Sequence, residues 1–205
     1  MLEKLRNAFQ PLTNLIARPL TIFHPNIVSI ITIFVFIPGT YFYTKGDTLL
    51  GSLFILGAAF DALDGTVAKL TGKTSQFGGV LDATIDRIVE GIVFIGIGVG
   101  DIVPWELLFA TYIGSISISY IKAKAEAASG TTKVGKNKFS VGIAQRGDRL
   151  LIIFVASILN HFFTNDSYEV MIGAFVLLFI LQAITLIWRG IVIYQVLDRN
   201  QKQTI

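Results

Sequence analysis

The chain has no cysteine and only two histidines, His24 and His161. Disulfides and thiolate metal sites are therefore excluded, and two histidines cannot build a His-rich zinc centre. Charge is scarce as well: Asp, Glu, Lys and Arg make up 15% of the 205 residues, while 53% are hydrophobic and the mean hydropathy is +0.66. A water-soluble domain of this length needs a more polar surface. The first twenty residues, MLEKLRNAFQPLTNLIARPL, lack the apolar core and cleavage site of a signal peptide. No internal repeat or low-complexity segment is present, and nothing points to a nucleic-acid partner. Uncharged apolar runs approach the length that crosses a bilayer. The expectation is an all-α integral membrane protein occupying residues 1–205 as one domain.

Residues 2–16 place Leu2, Leu5, Phe9, Leu12 and Ile16 at alternating spacings of three and four, with Lys4 and Arg6 off the stripe. That pattern predicts an amphipathic helix within 1–20, lying in the membrane interface beside the bundle. Six transmembrane helices are expected over 25–194, at about 25–44, 49–70, 78–100, 104–123, 149–163 and 171–194. With the N-terminus inside, the outer loops contain only Lys45 of the 17 basic residues. Positive charge collects on the cytoplasmic side, so the polar halves of the second and third spans open to the cytoplasm. Residues 121–149 form a Lys- and Gly-rich cytoplasmic connection, and the tail from Leu197 is short and polar.

Those polar halves hold Asp61, Asp64, Asp82 and Asp86 on either side of the turn TGKTSQFGG. Acids are costly in a membrane and are usually functional. Asp61 and Asp64 are three apart and Asp82 and Asp86 four apart, so each pair shares a helix face. A short turn makes the helices antiparallel and can bring the carboxylates together. Their mutual repulsion is relieved by divalent cations, and an oxygen-only ligand set suits Mg²⁺, Mn²⁺ or Ca²⁺. Two such ions would clamp a phosphoryl group. Gly65 and Gly78 let a nucleotide or sugar approach the backbone. Gly96 and Gly100, in the apolar half of the third span, fit close helix packing instead. Two readings of another kind compete: an ion-pair network with Lys69, Lys73 and Arg87, and a divalent-cation transporter. Against transport, the acids gather at one end and the outer halves of these spans are apolar.

The pattern Asp61-x2-Asp64-Gly65-x2-Ala68-Lys69-x8-Gly78-x3-Asp82-x3-Asp86 resembles the signature of the CDP-alcohol phosphotransferases. Lys69 is the one departure, since the family usually has Arg there. The resemblance implies six transmembrane helices and a homodimer in the cell (plasma) membrane. It implies transfer of a substituted phosphate from a CDP-alcohol to an acceptor hydroxyl, with release of CMP. Asp61, Asp64 and Asp82 would hold two Mg²⁺ or Mn²⁺ ions. Asp86 would be the catalytic general base and also touch the second metal. Gly65, Ala68 and Gly78 would shape the cytidine site, and Lys69 would meet the diphosphate as a point charge. Asn26, in the string HPN, resembles a family position near the nucleotide; the other reading of it is a helix cap.

Phosphorylated acceptors need fixed cations. Lys122, Arg146, Arg149 and Arg189 are the candidates, whereas Lys133, Lys136 and Lys138 fit ordinary flanking charge. The strings FGGVLDATIDR, YIKAKAEA and VGIAQRGDR are similar to the branch that makes phosphatidylinositol phosphate or its archaeal ether-lipid counterpart. That likeness implies a CDP-diacylglycerol or CDP-archaeol donor and inositol phosphate as acceptor. Glycerol 3-phosphate, serine or free inositol as acceptor, or CDP-inositol as donor, are the alternatives.

Overall fold

The structure is a computed structural model that describes residues 13–129, 139–164 and 167–202, with the side chains of 198–202 left out. Every regular element among the described residues is helical. The long helices are α1 (Pro25–Tyr43), α2 (Phe54–Leu70), α3 (Gln76–Val99), α4 (Trp105–Ala128), α5 (Arg146–Phe163) and α6 (Glu169–Lys202). A 3₁₀ turn at Arg18–Ile22 precedes α1, and a one-turn helix at Thr48–Gly51 precedes α2. The interfacial helix expected over 2–16 lies almost wholly outside the described residues; 13–17 are helical.

Each expected span coincides with one long helix. Among the described residues, three candidates are long and apolar enough to cross a membrane: Pro25–Tyr43, Thr48–Leu70 and Glu169–Leu197. The others carry charge at one end: Asp82, Asp86 and Glu90 in α3, Lys122, Lys124 and Glu126 in α4, Arg146, Asp148 and Arg149 in α5. Outward faces are strongly apolar. Phe34 on α1 is 64% exposed and Ile187 on α6 is 67% exposed. Such surface suits hydrocarbon rather than water.

Four helix ends differ from the sequence expectation by three residues or more; α2 begins at Phe54 rather than near Leu49, after the one-turn helix at Thr48–Gly51. α4 runs on to Ala128 and α6 to Lys202, because KAEAA and LDRNQK are mostly good helix formers that continue an existing helix at little cost. α5 begins at Arg146 rather than Arg149, since Gln145 and Asp148 form a reciprocal capping box.

The chain divides into two compact units, Met1–Gly100 and Asp101–Ile205. In the first, α1 packs against both α2 and α3. Ala17, Val28, Leu63 and Val67 form a buried cluster there, with Leu20 and Phe60 against it. Close approach of backbones is bought with glycine: a Cβ on Gly96 would lie 2.7 Å from the Thr40 carbonyl oxygen, and one on Gly100 would lie 2.0 Å from that of Tyr43. The packing role expected for these two glycines is borne out. In the second unit, α6 packs against α4 and α5.

Candidate active site and metal centre

α2 and α3 are joined by a turn whose ends are both chemically specified. At the end of α2, the Gly72 amide bonds the Lys69 carbonyl at 3.3 Å and the Lys73 amide bonds the Ala68 carbonyl at 3.0 Å. This pair of bonds is the Schellman arrangement, and it requires a left-handed residue, here Gly72 with φ +66. Ser75 then caps α3, its Oγ accepting from the Gly78 amide at 2.9 Å. The chain reverses within five residues, so the acid-bearing turns of both helices face one another.

Asp61, Asp82 and Asp86 converge: one carboxylate oxygen from each lies within 4.8 Å of the others. Oxygens bound to one hard cation stand up to about twice the 2.0–2.6 Å metal–oxygen distance apart, roughly 4–5 Å. The donor set and its spacing therefore fit a divalent ion of the Mg²⁺, Mn²⁺ or Ca²⁺ type. Asp86 also pairs with Arg87, Oδ2 to Nη1 at 3.1 Å, and the same Nη1 donates to the Ala83 carbonyl at 2.8 Å. Asp61 is buried, and Asp82 and Asp86 are half-buried.

Asp64 is buried but stands outside this trio. Its Oδ2 accepts the Ser29 hydroxyl at 2.5 Å and its Oδ1 meets the Gly65 amide. Ser29 belongs to α1 and is itself 4% exposed, so the hydrogen bond ties α1 to the acid-bearing end of α2. Ser29 was missed in the sequence. Its position one turn beyond Asn26 marks the same stretch of α1, but nothing in the sequence names Asp64 as its partner.

Beside the trio is a cleft of about 200 Å³ lined by residues of α1, α2, α3 and their turn, among them Asn26, Asp64, Gly65, Ala68, Lys69, Gly78 and Asp82. All five residues expected at a donor site (Asn26, Gly65, Ala68, Lys69 and Gly78) thus line one cavity. A Cβ on Gly65 would meet nothing within 4 Å, so this backbone is open to a ligand. On Gly78 it would come within 3.0 Å of Ser75 Oγ and 3.4 Å of Asn26 Oδ1. The helix-cap alternative for Asn26 fails: His24 caps α1, its Nδ1 accepting from the Asn26 amide at 3.3 Å. The Asn26 side chain is left for the cleft. Lys73 and Thr74 also line it and were not expected there.

The four basic candidates lie in the second unit. Lys122 on α4 is paired with Glu126 at 3.8 Å, a surface contact of small energetic weight. Arg146 and Arg149 open α5, and Arg149 is buried, its Nη1 on the Ala144 carbonyl at 2.8 Å. Arg189 on α6 is buried and bonds the carbonyls of Ile118 and Val141. Lys133, Lys136 and Lys138 lie outside the described residues.

A family model described as CDP-alcohol phosphatidyltransferase matches residues 22–194. The chain belongs to this family. It is an enzyme of the CDP-alcohol phosphatidyltransferase class, and the resemblance carried by the aspartate motif is borne out. Among its relatives is an archaetidylinositol phosphate synthase from Pyrococcus horikoshii, 42% identical over 137 residues, 66% of this chain and 70% of that protein. A phosphatidylinositol phosphate synthase from Mycobacteroides abscessus is 35% identical over 165 residues, 76% of this chain and 72% of that one. The crystal structure of Mycobacterium tuberculosis phosphatidylinositol phosphate synthase with CDP-DAG bound aligns with a TM-score of 0.75 at 29% identity, covering 90% of this chain and 94% of that one. The same enzyme in complex with manganese and citrate aligns with a TM-score of 0.74 at 28% identity, over 89% of this chain and 88% of that one.

Proposed function

We propose that this enzyme transfers the substituted phosphate of a CDP-linked lipid, CDP-diacylglycerol or CDP-archaeol, to a hydroxyl of inositol phosphate and releases CMP. The observation that carries the chemistry is the convergence of Asp61, Asp82 and Asp86 beside the cleft lined by the motif glycines and Lys69. The choice of acceptor is supported by relatives named as archaetidylinositol and phosphatidylinositol phosphate synthases.

The donor's cytidine would enter against Asn26, Gly65, Ala68 and Gly78, with Lys69 on the diphosphate. Asp61, Asp64, Asp82 and Asp86 would hold two Mg²⁺ or Mn²⁺ ions, which supply Lewis-acid stabilisation of charge on the phosphoryl oxygens and the leaving group. Asp86 takes the proton of the acceptor hydroxyl. The hydroxyl oxygen forms a bond to the phosphorus that carries the lipid alcohol. The bond from that phosphorus to the CMP oxygen breaks, and CMP leaves with the electron pair. Lys122, Arg146, Arg149 and Arg189 would supply the positive charge that a phosphorylated acceptor needs. The same reading has six membrane crossings, a homodimer in the cell membrane and an active site open to the cytoplasm.

The test is CMP release by the purified enzyme with CDP-lipid and a panel of acceptors. Inositol phosphate should give the highest kcat/KM. Preference for free inositol would remove the case for the arginines, and preference for glycerol 3-phosphate would keep a phosphate pocket but change the acceptor.

A further inference from the structure

The segment entering α5 is held by a set of hydrogen bonds from α6. Arg189 donates Nε and Nη2 to the Val141 carbonyl at 3.0 and 2.7 Å, and Nη1 to the Ile118 carbonyl of α4 at 2.7 Å. One turn earlier on α6, Thr185 Oγ1 accepts the Ile143 amide at 3.2 Å. Between these anchors stands Gly142, with φ +132, where a Cβ would lie 2.3 Å from Thr185 Cγ2. Thr185 is 0% and Arg189 3% exposed. Two residues four apart share a helix face and are separated by about 6 Å along it, which suits anchoring residues 141 and 143 together.

A guanidinium has five N–H groups in a rigid plane. Arg189 commits three of them to backbone carbonyls on two elements, α4 and the 139–145 segment. The orientation of the plane is therefore set by the carbonyls. The same segment is tied at its other end: Gln145 Nε2 donates to the Ser140 carbonyl at 3.3 Å, and Asp148 Oδ2 accepts the Gln145 amide at 3.1 Å. The next residue is Arg146.

We infer that Thr185 and Arg189 form a clasp that fixes residues 141–143, and that the clasp sets where Arg146 and Arg149 present their charge to the acceptor's phosphate. Arg189 thus positions this segment in addition to adding its charge, and Thr185, absent from the motif and from the basic set, is the positioning residue beside it in the selection of a phosphorylated acceptor. The second half of the inference rests on the acceptor reading of Arg146 and Arg149 given above.

The experiment uses the full-length enzyme in lipid nanodiscs with Thr185→Val, Thr185→Ser and Arg189→Lys. Two quantities are measured: hydrogen exchange of the Ile143 amide, and KM and kcat with inositol phosphate and with CDP-lipid. Thr185→Val keeps the shape but removes the acceptor for the Ile143 amide. Exchange there should accelerate about five- to tenfold, the equivalent of one lost hydrogen bond. KM for inositol phosphate should rise by a similar factor, while donor KM and kcat stay within about twofold. Thr185→Ser should restore both values. Arg189→Lys keeps the charge but cannot span both carbonyls, so exchange at the Ile143 amide should accelerate as in Thr185→Val; the kinetic half of the test rests on the Thr185 variants. Unchanged exchange in Thr185→Val and Arg189→Lys would overturn the clasp. Faster exchange with an unaltered KM for inositol phosphate would overturn its role in acceptor binding while leaving the clasp intact. A wild-type enzyme that does not use inositol phosphate would defeat the acceptor reading, and with it the functional half, independently of the exchange result.

Discussion

At the residue scale the four aspartates are not equivalent. Asp61, Asp82 and Asp86 point oxygens at a common centre, while Asp64 is held by Ser29 and the Gly65 amide. Asp61→Asn and Asp82→Asn should each weaken Mn²⁺ binding, measured by titration calorimetry, by more than the roughly 10–100-fold that loss of an outer-shell partner costs, with activity falling in parallel. Asp86→Asn should lower kcat by about 10²–10⁴-fold, the usual contribution of a general base, while CDP-lipid binding is largely kept; lost donor binding with normal residual turnover would make Asp86 a metal ligand alone. Lys69→Arg restores the residue usual in the family and can bond two phosphate oxygens at once. Its donor KM should equal or fall below that of the wild type, and a large loss of activity would show that Lys69 has some other role. The motif and its acids were legible because they form two pairs, Asp61/Asp64 and Asp82/Asp86, each at helical spacing, on either side of a short polar turn. Ser29 was not read, since a serine in an apolar helix reveals its partner only when the facing helix is known.

At the scale of elements, glycines do two jobs that a substitution series separates. Gly65 opens onto the cleft with nothing within 4 Å of a Cβ, whereas Gly100 has the Tyr43 carbonyl oxygen 2.0 Å away. Gly65→Val should leave thermal unfolding in detergent nearly unchanged and raise the donor KM several-fold. Gly100→Ala should lower the unfolding temperature with little change in KM for the protein that remains folded, because a helix must shift to admit the methyl. The reverse assignment of these two effects would place the donor elsewhere. The six helices were readable from apolar runs, but their ends were less so. Hydropathy falls where Lys and Glu begin, yet α4 and α6 continue because those residues propagate a helix as well as apolar ones do. The start of α5 at Arg146 depended on the Gln145–Asp148 capping box, a local signal within a stretch that composition marks as loop. The clasp from Thr185 and Arg189 joins residues more than forty apart and leaves no periodic trace.

At the scale of the whole molecule, the balance is between an apolar exterior and a small polar site. Outward residues such as Phe34 and Ile187 suit lipid, while the acids gather on the facing stretches of α2 and α3 that lead into and out of the turn between them. The central claim is that the Asp61–Asp82–Asp86 trio performs phosphoryl transfer through a divalent cation, and the most direct measurement is CMP release as metal is removed and returned. The purified enzyme, freed of metal with EDTA and supplied with CDP-lipid and inositol phosphate, should release almost no CMP. Added Mn²⁺ or Mg²⁺ should restore the rate in a saturable manner, and Asp82→Asn should require much more metal or fail to recover. Full CMP release in metal-free buffer would contradict the account.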